Sequence, residues 1–265
     1  MSKPVEPQIF VIASTQVEKQ GVDAFLRHIG FPDWKSDAPS EAERLTEIMG
    51  KACYDSWDVS ANPNLTMVRT HNDSYIRNIL DKGDGSVLEH AWVSFMFCDV
   101  SRVFTHELVR HRVGTAISQQ SLRFVRLTDI NWYAPLVVRE TPEVMELYAR
   151  KIEELSQLQR DLAEMFDLDK DNKRGLSFDQ KKKLTSTMRR LAPEGLATRI
   201  GWSCDMRTLR HVIEQRTAPW AEEEIRLVFG KVGHLARERW PNLFGDYEIE
   251  MVDDLPYFKT KYRKV

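Results

Sequence analysis

Arg110, Arg112 and Arg123 fall within fourteen residues of one another, and the Ser121 hydroxyl lies among them. Glu107 is the one acid close by. A lone arginine is most simply read as half of an ion pair at a surface or subunit interface. Three planar guanidinium forks with so little counter-charge suit phosphate, which each can grip through two parallel hydrogen bonds. The polar run Ser118-Gln119-Gln120 offers further donors and acceptors for phosphate oxygens or a nucleobase.

Other patterns carry less. His106 and His111 straddle Glu107, but they are five residues apart, roughly 140° around an α-helix. The zinc-protease helix needs two histidines four apart on one face. Asp167-x-Asp169-x-Asp171 opens like a calcium loop, yet the sixth position, which requires Gly, is Asn172, and the twelfth, which requires Glu, is Phe178. A solvated inter-helix turn is the better reading, and Lys181-Lys182-Lys183 reads as the solvent face of a helix.

The elements that must position the arginines are partly legible. Gln8–Ser14 reads as a strand. Ser40 to Gly50 opens with Ser40-x-x-Glu43 and is expected to be helical. A helix is expected over Asn64 to Leu80, stopped by Asp81-Lys82-Gly83-Asp84-Gly85. Ala91 to Val100 is apolar and aromatic, the pattern of a buried strand. Val103 to Arg110 reads as the helix that delivers the arginine pair. A long amphipathic helix is expected from Thr141 to Phe166, with Pro142 in its first turn. Asp167 to Ser177 is a charged turn, and helices follow at Phe178 to Leu191, Met206 to Gln215 and Trp220 to Arg239. The expected fold is α+β: a helix-rich single domain over residues 1–265, around one mainly antiparallel sheet, with a helical insertion at about 130–185.

Bulk composition narrows the class. The chain has 265 residues, 42% hydrophobic and 29% charged, with a formal net charge of −2. That balance offers no global basic field for nucleic acid. No apolar run reaches membrane-span length, and the first residues carry no signal-peptide pattern. Three widely spaced cysteines, Cys53, Cys98 and Cys204, suit unpaired thiols in a reducing cytoplasm.

The arginine stretch resembles the signature of the flavin-dependent thymidylate synthases: Arg-His-Arg, seven residues, then Ser-x-Arg. Here Arg110-His111-Arg112 is followed by eight residues, Val113 to Gln120, before Ser121-Leu122-Arg123. Gly83 to His90 resembles a second family segment, Gly-x-x-Ser/Thr-x-x-Glu-His, with Asp84 where a histidine is common. Read alone, Ser86 could be a cap and His90 a core histidine. Arg189 to Arg199 is similar to the family's Arg-x-x-x-Pro stretch. Asp205-Met206-Arg207, His211 and Gln215-Arg216 are similar to its flavin-lining helix. The family usually has Asn where this chain has Asp205 and His211, and often His at Trp220. That tryptophan either stacks on a flavin or plugs the core.

The resemblance implies a fold, cofactors and roles. Glu107, Arg110, Gln119, Gln120, Ser121, Leu122, Arg123, Arg189 and Arg216 would hold a uracil nucleotide. Ser86, Arg110, His111, Arg112, Gln119, Asp205, Arg207 and His211 would hold FAD, with Glu89 near the reacting rings. Methylenetetrahydrofolate and NADPH would be co-substrates, and homotetramers would share active sites. Arg216 would be catalytic, since a guanidinium at the O2/N3 edge of uracil stabilises the charge that makes C5 nucleophilic. The expected reaction converts dUMP to dTMP. The alternatives are a UMP C5-methylase of the nucleoside-antibiotic type, a flavin-binding protein without transferase activity, and a non-catalytic nucleic-acid-binding module.

Overall fold

Residues 2–168, 173–263 and 265 are described by a computed structural model of the chain. Met1, residues 169–172 and Lys264 lie outside the described residues, and with them Asp169, Asp171 and Asn172 of the calcium-loop comparison. In chain order the elements are β1 (Gln8–Ser14), α1 (Lys19–His28), α2 (Glu41–Tyr54), α3 (Asn72–Lys82), β2 (Trp92–Ser101), α4 (Arg102–Leu108), β3 (Thr115–Gln119), α5 (Leu136–Arg139), α6 (Pro142–Met165), α7 (Phe178–Met188), β4 (Ala197–Asp205), α8 (Met206–Thr217), α9 (Glu223–Arg239), α10 (Pro241–Phe244), β5 (Glu248–Val252) and β6 (Leu255–Lys259). Single 3-10 turns occur at Gly85–His90 and Arg189–Leu191. The fold is α+β, with helices and antiparallel sheet, as expected. Two sheets form where one was expected: a four-stranded sheet in the order β1-β2-β4-β3, and the antiparallel hairpin β5-β6. No helix of the described residues is long and apolar enough to cross a membrane.

The departures from expectation have physical causes. The helix expected from Asn64 begins only at Asn72, because the Asn72 backbone N–H is capped by Asp37 Oδ1 at 2.7 Å, from a loop distant in sequence. The strand at Trp92–Ser101 buries one face, with Val93, Phe95 and Phe97 inward and Trp92 exposed, so it is half-buried and not enclosed on both sides. The helix expected to run to Arg110 ends at Leu108, which puts Arg110 and Arg112 on the chain that follows it. The last long helix begins at Glu223 and not Trp220, since the Glu222 carboxylate accepts from the Glu224 and Ile225 backbone N–H groups and so sets the start. Ser40 caps α2 as its sequence indicated, accepting from the Glu43 N–H. The strands β3 and β4, the hairpin and α1 were not expected.

The chain divides into two compact units. The first comprises Met1–Phe10, Met96–Arg110 and Ile117–Trp202. Its core includes Leu122, Ile130, Trp132, Ala134, Val138, Ile152 and Leu196, with a second cluster of Ala163, Leu168 and Met188. The helix α6 buries only a stripe: Ile152, Ser156, Gln159 and Ala163. The second unit comprises Val11–Phe95, His111–Ala116 and Ser203–Val265. There α8 and α9 pack on each other and on β6. The back of α8 is pinned by the buried Arg210, paired with Asp246 at 2.7 Å, and by the Tyr247 hydroxyl, which donates to the Arg210 carbonyl.

Candidate active site

In the second unit, three segments far apart in sequence meet around the start of α8. Asp205 caps the helix, its Oδ1 accepting from the Thr208 N–H at 2.7 Å. The Asp205 N–H donates to the Gly114 carbonyl at 3.1 Å, and the Thr208 hydroxyl donates to the Val113 carbonyl at 3.1 Å. These bonds clamp the chain after Arg112 onto the helix. Burial raises the Asp205 carboxyl above the usual carboxylate range, and the bonds from Thr208 oppose that shift. The 3-10 turn joins from the other segment: Glu89 Oε1 accepts from Arg207 Nη1 at 2.6 Å, and a Cβ at Gly85 would lie 2.9 Å from Arg207 Nε. Ser86 is exposed and makes no side-chain cap bond, and His90 is exposed and not a core histidine.

At the far end of α8, Arg216 Nε donates to His111 Nε2 at 2.7 Å. An accepting Nε2 has no proton, so the neutral ring carries it on Nδ1. Burial, then the charges of Arg216 and His211, lower the His111 pKa to about 4. The His111 and His211 rings meet edge to face, 6.1 Å apart. His211 and Arg112 are exposed.

The first unit carries the remaining residues. Gln119 Nε2 donates to the Thr105 hydroxyl at 3.0 Å, tying the end of β3 to α4, where Glu107 is half-buried. The Gln120 N–H donates to the Arg199 carbonyl, and its Oε1 accepts from Thr198. Beyond it the Ser121 carbonyl accepts from Phe124 and Val125, and the Ser121 hydroxyl from the Arg123 N–H, so a turn presents Arg123 outward. Arg189 opens its 3-10 turn at the surface. Arg110, Arg112, Arg123 and Arg189 are all exposed, and no guanidinium of the four has a hydrogen-bond or ion-pair partner among the described residues.

The surroundings of two further side chains narrow how they could act. The Leu122 side chain lies in the first unit's core, so contact with a ligand would have to come from its backbone. Trp220 is 75% exposed, with its ring edge to face with Tyr257, so it does not plug the core. Gly114 and Thr208, which hold the loop on α8, were not singled out; the only signal was a glycine two residues after Arg112. A cleft of about 770 Å³ in the first unit is lined by Arg126, Gln157, Arg160 and Arg174, among others, and by none of the residues above.

Exposed guanidinium groups without a partner among the described residues suit anionic ligands. The chain belongs to the thymidylate synthase complementing protein family, which matches residues 36–242. A flavin-dependent thymidylate synthase of Mycolicibacterium gilvum is 34% identical over 230 residues, covering 84% of this chain and 86% of that protein. One from Corynebacterium diphtheriae is 31% identical over 226 residues, covering 84% and 86%. The fold is similar to a crystal structure of a UMP/dUMP methylase, PolB from Streptomyces cacaoi, bound with 5-Br dUMP. The TM-score is 0.60 at 12% identity, over 92% of this chain and 96% of that one.

Proposed function

We propose that this chain methylates C5 of a uracil nucleotide, dUMP to dTMP, as a flavin-dependent enzyme. The observation that carries the reading is the set Arg110, Arg112, Arg123 and Arg189, exposed and without an ion-pair partner among the described residues, in a member of this family. Leaving guanidinium groups unpaired at a surface suits a ligand that brings its own negative charge. Arg110, Ser121, Arg123 and Arg189 would hold phosphate and sugar, with Glu107, Gln119, Gln120 and the Leu122 backbone beside them.

The second unit's residues suit a flavin dinucleotide. Arg112 has a guanidinium to spare for a diphosphate and Ser86 an exposed hydroxyl, while Asp205 and Arg207 lie at the start of α8, with His211 on the helix and His111 against its far end. When bound, the reduced flavin supplies reducing equivalents and takes part in carbon transfer; NADPH would be the reductant and methylenetetrahydrofolate the carbon donor. Arg216 would face the O2/N3 edge of the uracil and stabilise the negative charge that builds there as C5 becomes nucleophilic. No cysteine is needed: Cys204 is fully buried and its thiol pushed well up by burial.

Residues 1–265 would act as one catalytic domain within a homotetramer in the cytoplasm. Exposed apolar side chains on α5 and α6, Leu136, Val137, Leu147 and Tyr148, support burial between copies. A second reading, methylation of UMP, is favoured by the eight residues between Arg112 and Ser121 and by Asp205 in an asparagine position. A 2′-hydroxyl is accepted only where it finds a partner.

The test is methylation by FAD-loaded protein with methylenetetrahydrofolate and NADPH, on dUMP and UMP side by side. Activity on dUMP is expected. In Arg216→Ala, kcat should fall by about a hundredfold or more, the scale of losing a single transition-state donor, with dUMP binding weakened far less. Undiminished turnover would remove Arg216 from the mechanism.

A further inference from the structure

We propose that a cavity between the end of α2 and one face of α3 binds a phosphate group, held by Lys51, Ser56, Arg69, Tyr75 and Asn78. The site lies wholly in the second unit. It shares no residue with those assigned above and does not rest on the functional reading.

Tyr75, Asn78 and Lys82 are spaced to share one face of α3. With Lys51 from α2 and Ser56 and Arg69 from the connecting chain, they line a cavity of about 100 Å³. Lys51 makes the wall rigid. Its side chain is buried, and its Nζ donates to the Arg69 carbonyl at 2.9 Å and to the Ser56 carbonyl at 3.3 Å, which draws that chain onto the helix. The same ammonium lies over the Tyr75 ring, 4.9 Å from its centre. Gly50 admits the Tyr75 hydroxyl, since a Cβ there would lie 2.4 Å from it. The Ser56 and Tyr75 hydroxyls are buried with no hydrogen-bond partner among the described residues. Buried polar groups are nearly always satisfied, so two orphans on one cavity point to a ligand that accepts from both. Burial, then the charge of Glu47, raise the Tyr75 pKa, so its hydroxyl keeps the proton it would donate. The Arg69 guanidinium and the Asn78 amide also have no hydrogen-bond partner among the described residues. No carboxylate lines the cavity; Glu47, 3.8 Å from Lys51 Nζ, lies outside it. Two hydroxyls, an amide and a guanidinium fork make about six donors, more than the roughly four lone-pair sites of a carboxylate. The three oxygens of a phosphate take them, and the fork matches their geometry. The volume is that of about three waters in the liquid, space for one such group.

The experiment titrates inorganic phosphate into the full chain as wild type, Arg69→Gln, Tyr75→Phe and Arg123→Gln, with binding read by 31P NMR and by the melting temperature. Neither cavity substitution breaks a hydrogen bond among the described residues, so both variants should fold. Wild type is expected to bind phosphate saturably and to melt higher with it. Arg69→Gln should weaken that binding about tenfold or more, the scale of losing a charged hydrogen-bond partner. Tyr75→Phe should weaken it less, and Arg123→Gln, altered outside the cavity, should leave it unchanged. Adding dUMP separates two sources of the group. A site for free phosphate keeps its ligand; a site for the phosphate end of a nucleotide gives it up, and Arg69→Gln then weakens dUMP to the same degree. Either result upholds a phosphate site in this cavity. The proposal is overturned if wild type shows no saturable binding, which leaves water as the occupant. It is equally overturned if Arg69→Gln and Tyr75→Phe bind phosphate as tightly as wild type, which puts the ion on the exposed arginines.

Discussion

Gly114 has φ +61°, a left-handed conformation, and a Cβ there would lie 1.9 Å from Asp205 Oδ2 and 2.4 Å from the Thr208 hydroxyl. Neither atom is the loose end of a long side chain; both are held in the cap of α8. Gly114→Ala should therefore destabilise the protein by about 1–3 kcal/mol, the usual cost of a non-glycine residue strained into this region, readable as a lowered urea midpoint. An unchanged midpoint would mean that the loop is not clamped to the helix. Asp205→Asn keeps an acceptor at the cap and should be milder than Asp205→Ala, which loses about 1 kcal/mol. Residue identities gave the arginines and the Ser-x-Arg motif in advance. They could not give Gly114 its role, because that role is defined by two side chains 91 and 94 positions further along the chain.

The helices show how far local pattern reaches. Helix α2 was readable because its cap, Ser40, lies next to its own first turn. Helix α3 was misjudged at its start because its cap, Asp37, comes from elsewhere. Glu43 makes the same point across a longer interval. It is fully buried, and its Oε1 accepts from the Asn242 and Leu243 N–H groups at 2.7 and 3.3 Å, while Ser40 donates to Oε2. A side chain on α2 thus satisfies the first turn of α10, and burial raises its pKa. Glu43→Ala should cost about 1–3 kcal/mol, the penalty for leaving buried backbone donors unmet. Glu43→Gln, which keeps a carbonyl acceptor, should cost less. Equal melting temperatures for the two variants would show that the donors find other partners.

For the whole molecule, the proposed homotetramer with shared sites makes a concentration-dependent prediction. Specific activity should fall on dilution in step with loss of the tetramer, followed by light scattering and the methylation assay together; monomers with full activity would refute shared sites. Sequence alone determined the α+β class, most long helices, the arginine cluster and the resemblance to flavin-dependent thymidylate synthases. These depend on residue type and short spacing, which are properties of the chain itself. The tertiary structure decided which segments meet: the loop after Arg112 with α8, Glu89 with Arg207, and His111 with Arg216. It also decided which side chains reach the surface, turning Trp220 outward and Leu122 into the core. Such choices are set by packing and by buried donors finding acceptors across long sequence separations, and no local pattern encodes them.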